Sequence, residues 1–238
     1  MSRAATPNRP RWRRFLGGFW GQLLLALVVT GLVVSFVAKP YTVPSASMES
    51  TLQPGDRILV NRLAYRLAEP VPGDVVVFEA TEVWDTDGTP TPSPLRAAWL
   101  WFGQWTGFGP SGPHTLVKRV IATPGQTASC CSTNGKLVVA GTPIDEPYVS
   151  NDLPFEAGTL DCTTTPRSSR CFDEVTVPAG SYLMLGDNRS NSSDSAWRCR
   201  TTTDPDPASC WRWATRDGIV GTAQVIFWPL TRVGGVRR

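Results

Sequence analysis

The chain has 238 residues, 41% of them apolar and 18% charged, with a net charge of +3. That length suits one good-sized domain or two small ones, and 21 glycines with 21 prolines argue against a helical bundle or coiled coil. So small a net charge gives no ground for nucleic-acid binding, and a single histidine, His114, excludes a His-rich metal site. Lys39, Lys118 and Lys136 are the only lysines, against 20 arginines.

Residues 1–14 hold five arginines and no acid, and residues 15–38 run 24 positions without a charge. As a helix that run would extend roughly 36 Å, enough to cross a ~30 Å hydrocarbon core with some tilt. Trp20 near one end and Tyr41 just past the other suit the membrane interface. The competing reading is a cleaved signal peptide, whose apolar part spans about 7–15 residues and ends in small residues. The longer run favours a retained anchor, and so does Phe36, which would occupy a small-residue position if the cut followed Ala38. The arginines then keep the N-terminus in the cytoplasm. The expected organisation is a cytoplasmic basic tail at 1–14, a single transmembrane anchor at 15–38 and an extracytoplasmic domain at 39–238. This places the protein in the cell membrane, with the lipid bilayer as a partner. The outer part carries 18 basic and 20 acidic residues, so the basic excess belongs to the tail and no nucleic acid is expected.

Beyond the anchor the pattern predicts strands at 57–61, 74–79, 115–123, 136–139, 181–185 and 224–227, with one short turn at 47–52. Pro54-Gly55-Asp56, Pro72-Gly73-Asp74, Pro124-Gly125 and Asn134-Gly135 separate them. The fold class is therefore mostly β, with one N-terminal transmembrane helix and two long insertions. The first insertion, 80–113, carries Trp84, Trp99, Trp101 and Trp105. The last three either dip into the bilayer or cap the domain's own core. The second, 150–176, is polar. All six cysteines lie in the outer part, an even number that suits disulfides in an exported domain. Cys162 with Cys171 and Cys199 with Cys210 are the preferred pairs, and Cys130 and Cys131 are left unassigned. Six buried free thiols are the alternative. No C-x-x-C spacing occurs, which disfavours zinc, and no metal or cofactor is expected.

Two short segments carry candidate chemistry. Pro44-Ser45-Ala46-Ser47-Met48 puts two hydroxyls close to the membrane surface, although taken alone it also reads as a Ser-rich linker. Lys118 and Arg119 interrupt an apolar run, and adjacent strand residues point to opposite faces. One of them must face the apolar side, unless the strand is an edge with both cations reaching solvent. A buried cation needs a partner or must lose its proton, and lysine can lose one where arginine cannot. Lys118 is therefore the interior candidate, its pKa lowered by desolvation, and a neutral amine beside a serine makes a base and nucleophile pair. His114 is the other candidate base, but no acid is placed to orient it.

Ser45-Ala-Ser47-Met48 with Thr51-Leu52 and Pro54-Gly55-Asp56 resembles the nucleophile box of bacterial type I signal peptidases. Lys118-Arg-Val-Ile-Ala-Thr-Pro-Gly-Gln is similar to their lysine box, and residues 186–195, from Gly186-Asp187-Asn188-Arg189 to Asp194-Ser195, resemble their third signature. Residues 141–148 and 220–229 are also similar to that family, with all the boxes in order. The resemblance implies a serine endopeptidase that removes N-terminal signal peptides from secretory preproteins. Ser47 would be the nucleophile and Lys118 the general base. Ser45 and the Ser47 amide would form the oxyanion hole, Ser192 would orient the lysine, and Asp187, Arg189 and Asp194 would brace the site. Substrates would carry small residues at −1 and −3, read by shallow pockets that Val43 and Val117 would line. Three positions depart from the common pattern: Ser50 stands where proline is usual, Ser190 where aspartate is frequent, and Ala46 where glycine is common. Two alternatives compete. One is a membrane-anchored β binding domain whose Ser–Lys site has decayed. The other is a different Ser–Lys enzyme, either a Ser-x-x-Lys hydrolase or a self-cleaving repressor; the wide spacing of Ser47 and Lys118 disfavours the first, the anchor and missing DNA-binding part the second.

Overall fold

The computed structural model describes residues 18–81, 83, 84, 93, 115–201 and 209–237. The residue before a proline is pushed out of helical space, and Lys39-Pro40 is where the N-terminal helix gives way to a sheet. Helix α1 spans Phe19–Phe36, 18 residues, or about 27 Å. Ala38 already starts strand β1, Ala38–Thr42, opposite Asn61. The helix is thus shorter than the expected run of 15–38 at its C-terminal end, because strand pairing captures the last residues; residues 1–17 lie outside the described part. Among the described residues no helix is long and apolar enough to cross a membrane.

The main sheet adds β2 (Arg57–Asn61), β3 (Val75–Glu79), β4 (Thr115–Ala122), β9 (Ser181–Leu185), β10 (Ala214–Thr215), β11 (Ile219–Trp228) and β12 (Gly234–Gly235). Their order is β1-β2-β11-β3-β4-β9-β10, with β12 on β11. A smaller sheet runs β7-β6-β5-β8, from β5 (Thr127–Cys130), β6 (Leu137–Val139), β7 (Thr142–Pro143) and β8 (Phe172–Thr176). Helix α2, Trp197–Thr201, follows the 3-10 turn Arg189–Asn191. Three apolar clusters hold these layers. One joins the two sheets through Ile121, Leu137, Phe172, Leu183 and Trp211. A second packs Val43, Met48 and Leu52 on Ile58, Val75 and Val77. The third gathers Val76, Phe78, Val120 and Met184.

Strands 57–61 and 181–185 form as expected. The last strand is ten residues long rather than four, since Gly221 and Thr222 interrupt the apolar pattern ahead of the expected residues. The expected insertion 150–176 ends in β8, whose acids Asp173 and Glu174 mask a pairing with β5. The expected turn at 47–52 is a 3-10 turn at Ala46–Met48. Trp84 belongs to the core: it is 5% exposed, packs edge-on to Phe78, and its Nε1 donates to the Trp213 carbonyl. Trp99, Trp101, Trp105 and His114 lie outside the described residues. Cys162 is bonded to Cys171 and Cys199 to Cys210, while the unassigned neighbours Cys130 and Cys131 are bonded to each other. Loops of 9 and 11 residues closed in this way contribute about 2–3 kcal/mol each through the unfolded chain.

Candidate active site

Strand β1 leaves the sheet at Thr42, and two backbone bonds then hold the chain in place. Val43 N donates to the Asp56 carbonyl at 2.8 Å, and Gly55 N donates to the Val43 carbonyl at 2.9 Å. Ser45 is extended, with φ −128° and ψ 159°, and the chain turns at Ala46–Met48. Met48 and Leu52, 1% and 0% exposed, pin that turn to the second cluster. From the other side, Asn188 N donates to the Ser47 carbonyl at 3.1 Å. The serine box is thereby held between the β2 side of the sheet and the 186–195 segment.

Strand β4 brings Lys118 to it from 71 positions away. Lys118 Nζ and Ser47 Oγ are hydrogen-bonded at 2.6 Å, and the two residues are 3% and 7% exposed. Ser45 Oγ lies 3.3 Å from Ser47 Oγ, on the exposed side. Burial lowers the Lys118 pKa from an ordinary 10.5 to about 8, against the opposing pull of the Asp194 and Asp187 charges. The neutral amine is then about a tenth of the population at pH 7, and in that form the serine hydroxyl donates to it.

Both neighbours in the lysine box are interior, which the alternation of faces did not anticipate. Arg119 is 0% exposed. Asp187 meets its guanidinium twice, Nε to Oδ1 at 2.9 Å and Nη2 to Oδ2 at 2.7 Å. Gly73 O accepts from Nη1 at 2.7 Å, and the Tyr148 ring stacks 3.8 Å from the guanidinium. One buried cation is solved by a partner and the other by titration.

The three bracing residues do not pair with one another. Asp187 holds Arg119 and accepts from Thr51 Oγ1 at 2.6 Å. Arg189 pairs with Glu146, and its Nε donates to the Gly186 carbonyl at 2.9 Å. Asp194 pairs with Arg200 at 3.2 Å and accepts from Ala196 N. All three pairs are nearly dry, so breaking any one strands a buried charge. Ser192 is buried beside the site, but its Oγ has no hydrogen-bond partner, so the expected bond to Lys118 is not made here. Val43 and Val117 both belong to the second cluster, with Val43 2% exposed and Val117 half-buried. Val43 is thus floor more than wall.

Thr51, Glu146, Arg200 and Gly186 carry roles that the sequence did not signal, although all but Arg200 lie in the segments similar to the family. The first three act on partners in other segments or loops, which no local spacing signals. Gly186 has a steric reason: a Cβ there would sit 2.3 Å from Ser192 Oγ and 2.5 Å from the Ser47 carbonyl. Ser50 has φ +87°, which excludes proline, and its Oγ donates to the Tyr148 carbonyl at 2.6 Å. The departure from the common motif is therefore built into the turn.

The chain is similar to several bacterial proteins over most of its length. It is 38% identical to signal peptidase I of Mycobacterium tuberculosis over 248 residues, 99% of this chain and 81% of that protein. It is 38% identical to the probable signal peptidase I of Mycobacterium leprae over 237 residues, 91% of this chain and 78% of that one. With signal peptidase I of Leptolyngbya laminosa the identity is 30% over 210 residues, 88% of this chain and 78% of that protein. Residues 17–228 match the family described as signal peptidase, peptidase S26, and the chain belongs to that family.

Proposed function

We infer that this protein is a membrane-bound signal peptidase I, a serine endopeptidase that removes N-terminal signal peptides from secretory preproteins through a Ser47–Lys118 dyad. The observation that carries the reading is the 2.6 Å contact between Lys118 Nζ and Ser47 Oγ in a nearly dry site. Neutral Lys118 takes the Ser47 proton as Oγ attacks the scissile carbonyl. The Ser45 hydroxyl and the Ser47 amide stabilise the oxyanion. The protonated lysine then gives its proton to the departing amine of the mature chain, leaving an ester between Ser47 and the signal peptide. Water, deprotonated by Lys118, hydrolyses that ester and restores the serine.

Val117, half-buried, with Val43 beneath it in the second cluster, would read small side chains at −1 and −3. Helix α1 serves as the single-pass anchor together with the uncharged residues flanking it, the N-terminus being cytoplasmic and residues 39–238 extracytoplasmic. Its apolar side chains support this: Phe19, Trp20, Leu25 and Leu27 are 72%, 68%, 61% and 62% exposed, an arrangement water disfavours and lipid rewards. The test is preprotein cleavage in detergent micelles by wild type, Ser47→Ala and Lys118→Ala, with the product N-termini sequenced. Cleavage after a small residue, lost in both variants, is expected. Activity surviving Lys118→Ala would refute the dyad, and a folded wild type that cuts nothing would favour a binding domain.

A further inference from the structure

The end of the β domain nearest α1 carries a cavity that the proposed chemistry does not use. It measures about 330 Å³ and is lined in part by Lys39, Tyr41, Arg62, Tyr65, Arg66 and Arg216. Lys39 and Tyr41 lie on one face of β1, where Lys39 faces Val60 and the next residue of that face on the neighbouring strand's end is Arg62. Arg62 N donates to the Val37 carbonyl at 2.9 Å, one residue past the helix. Lys39 therefore sits roughly 10 Å past the end of α1 along the chain, and the Arg62 backbone is bonded beside it.

The opposite wall is a loop tied down by Arg216. Its Nε donates to Glu69 Oε2 at 2.7 Å, and its Nη2 donates to the carbonyls of Tyr65 and Ala68. The loop presents two leucines outward, Leu63 at 39% and Leu67 at 99% exposure. Glu79 and Asp217 also line the cavity. The lining thus holds four cations, Lys39, Arg62, Arg66 and Arg216, against two acids, and Glu69 pairs with Arg216.

We propose that this cavity binds the phosphodiester of an anionic membrane phospholipid, with Leu63 and Leu67 entering the acyl boundary beside it. An anionic phosphodiester complements this cationic lining, whereas a zwitterionic headgroup would bring a further cation into it. Burial and the neighbouring Arg62 hold the Lys39 ammonium below its usual range, a condition a bound anion relieves. The site rests on α1 being a membrane anchor. It would fix the height of the sheet, and so of Ser47, above the bilayer.

The experiment uses the full chain in nanodiscs of equal phosphatidylglycerol and phosphatidylcholine, with the lipids retained on the released protein counted by native mass spectrometry. Wild type should retain phosphatidylglycerol in excess, and Lys39→Gln/Arg62→Gln should lose at least fivefold of that excess, the scale of one cation at a lipid surface. Lys39→Arg/Arg62→Lys should keep it. An unchanged excess in the glutamine variant, with thermal unfolding unaltered, overturns the proposal, because the basic tail would then account for all the selectivity. Displacement of the lipid by inorganic phosphate would overturn the lipid assignment and leave a soluble-anion site. A chain that fails to enter nanodiscs or float with vesicles refutes the anchor itself, a result distinguishable from the others.

Discussion

Replacing Lys118 by methionine should abolish cleavage and yet stabilise the protein at neutral pH. The lysine pKa falls from 10.5 to about 8 on folding because the ammonium loses its water. At 1.36 kcal/mol per unit, that drop of roughly 2.5 units withholds about 3 kcal/mol from the folded state wherever the lysine is charged. Methionine keeps most of the stem's packing and gives up the bond to Ser47, worth about 1 kcal/mol. The net expectation is a gain of about 2 kcal/mol at pH 6.5. Between pH 8 and 10.5 the unfolded lysine holds a proton that the folded one has released, so wild-type stability rises with pH across that window and the advantage of the variant vanishes. Matched urea unfolding of both proteins at pH 6.5 and 10.5 reads the difference directly. A variant less stable at both pH values, or a gap that does not narrow, would mean that the lysine binds its proton equally in both states. The titrating-base reading would then fail.

The remaining expectations concern the same site. Cleavage by wild type should rise about tenfold per pH unit below about 8 and level off above it, as a neutral-lysine base requires; full activity at pH 5 would contradict this. Gly186→Ala should lower kcat on the order of a hundredfold without loss of the folded state, since its methyl must displace the Ser47 carbonyl 2.5 Å away. Steady-state kinetics beside circular dichroism would check it. Restoring the common proline at Ser50 should destabilise the chain by roughly 1–3 kcal/mol, because φ is +87° there. Ser50→Gly should keep most of the stability, and thermal melts of the two variants separate these outcomes.

Ser47 was singled out only by the resemblance to a family, whereas Lys118 was legible as an interior cation because burying a cation in an apolar strand has few chemical solutions. Arg119 beside Lys118 takes the other one, pairing with Asp187, and nothing at position 119 says which of two adjacent cations will find a carboxylate 68 positions later. Strand 57–61, with its alternation, and 181–185, a short apolar run buried at every position, were readable from pattern. Strand β1 was not, because Lys39 and Pro40 disguise a segment whose partner strand holds it extended. Trp84 looked like its neighbours in a Trp-rich insertion, and only the Phe78 ring and the Trp213 carbonyl distinguish it as core. Side-chain burial of this kind is a property of tertiary packing that composition does not carry.

The bracing charges also set the working range of the base. Asp194 raises the Lys118 pKa through its charge, against the larger effect of burial. Arg200 offsets that charge from 3.2 Å, and it is carried on α2, whose Cys199 is bonded to Cys210. Arg200→Gln should leave the Asp194 carboxylate less compensated and so favour the ammonium form of Lys118. The midpoint of the pH–rate profile should then move up by roughly one unit, the scale of a neighbouring charge, with maximal rate at high pH little changed. Reduction of Cys199–Cys210 should move the midpoint the same way if it frees α2 from Asp194. A loss of rate at all pH values with no change of midpoint would make Arg200 a purely structural partner. A downward shift would mean that Asp194 does not act on the lysine through its charge.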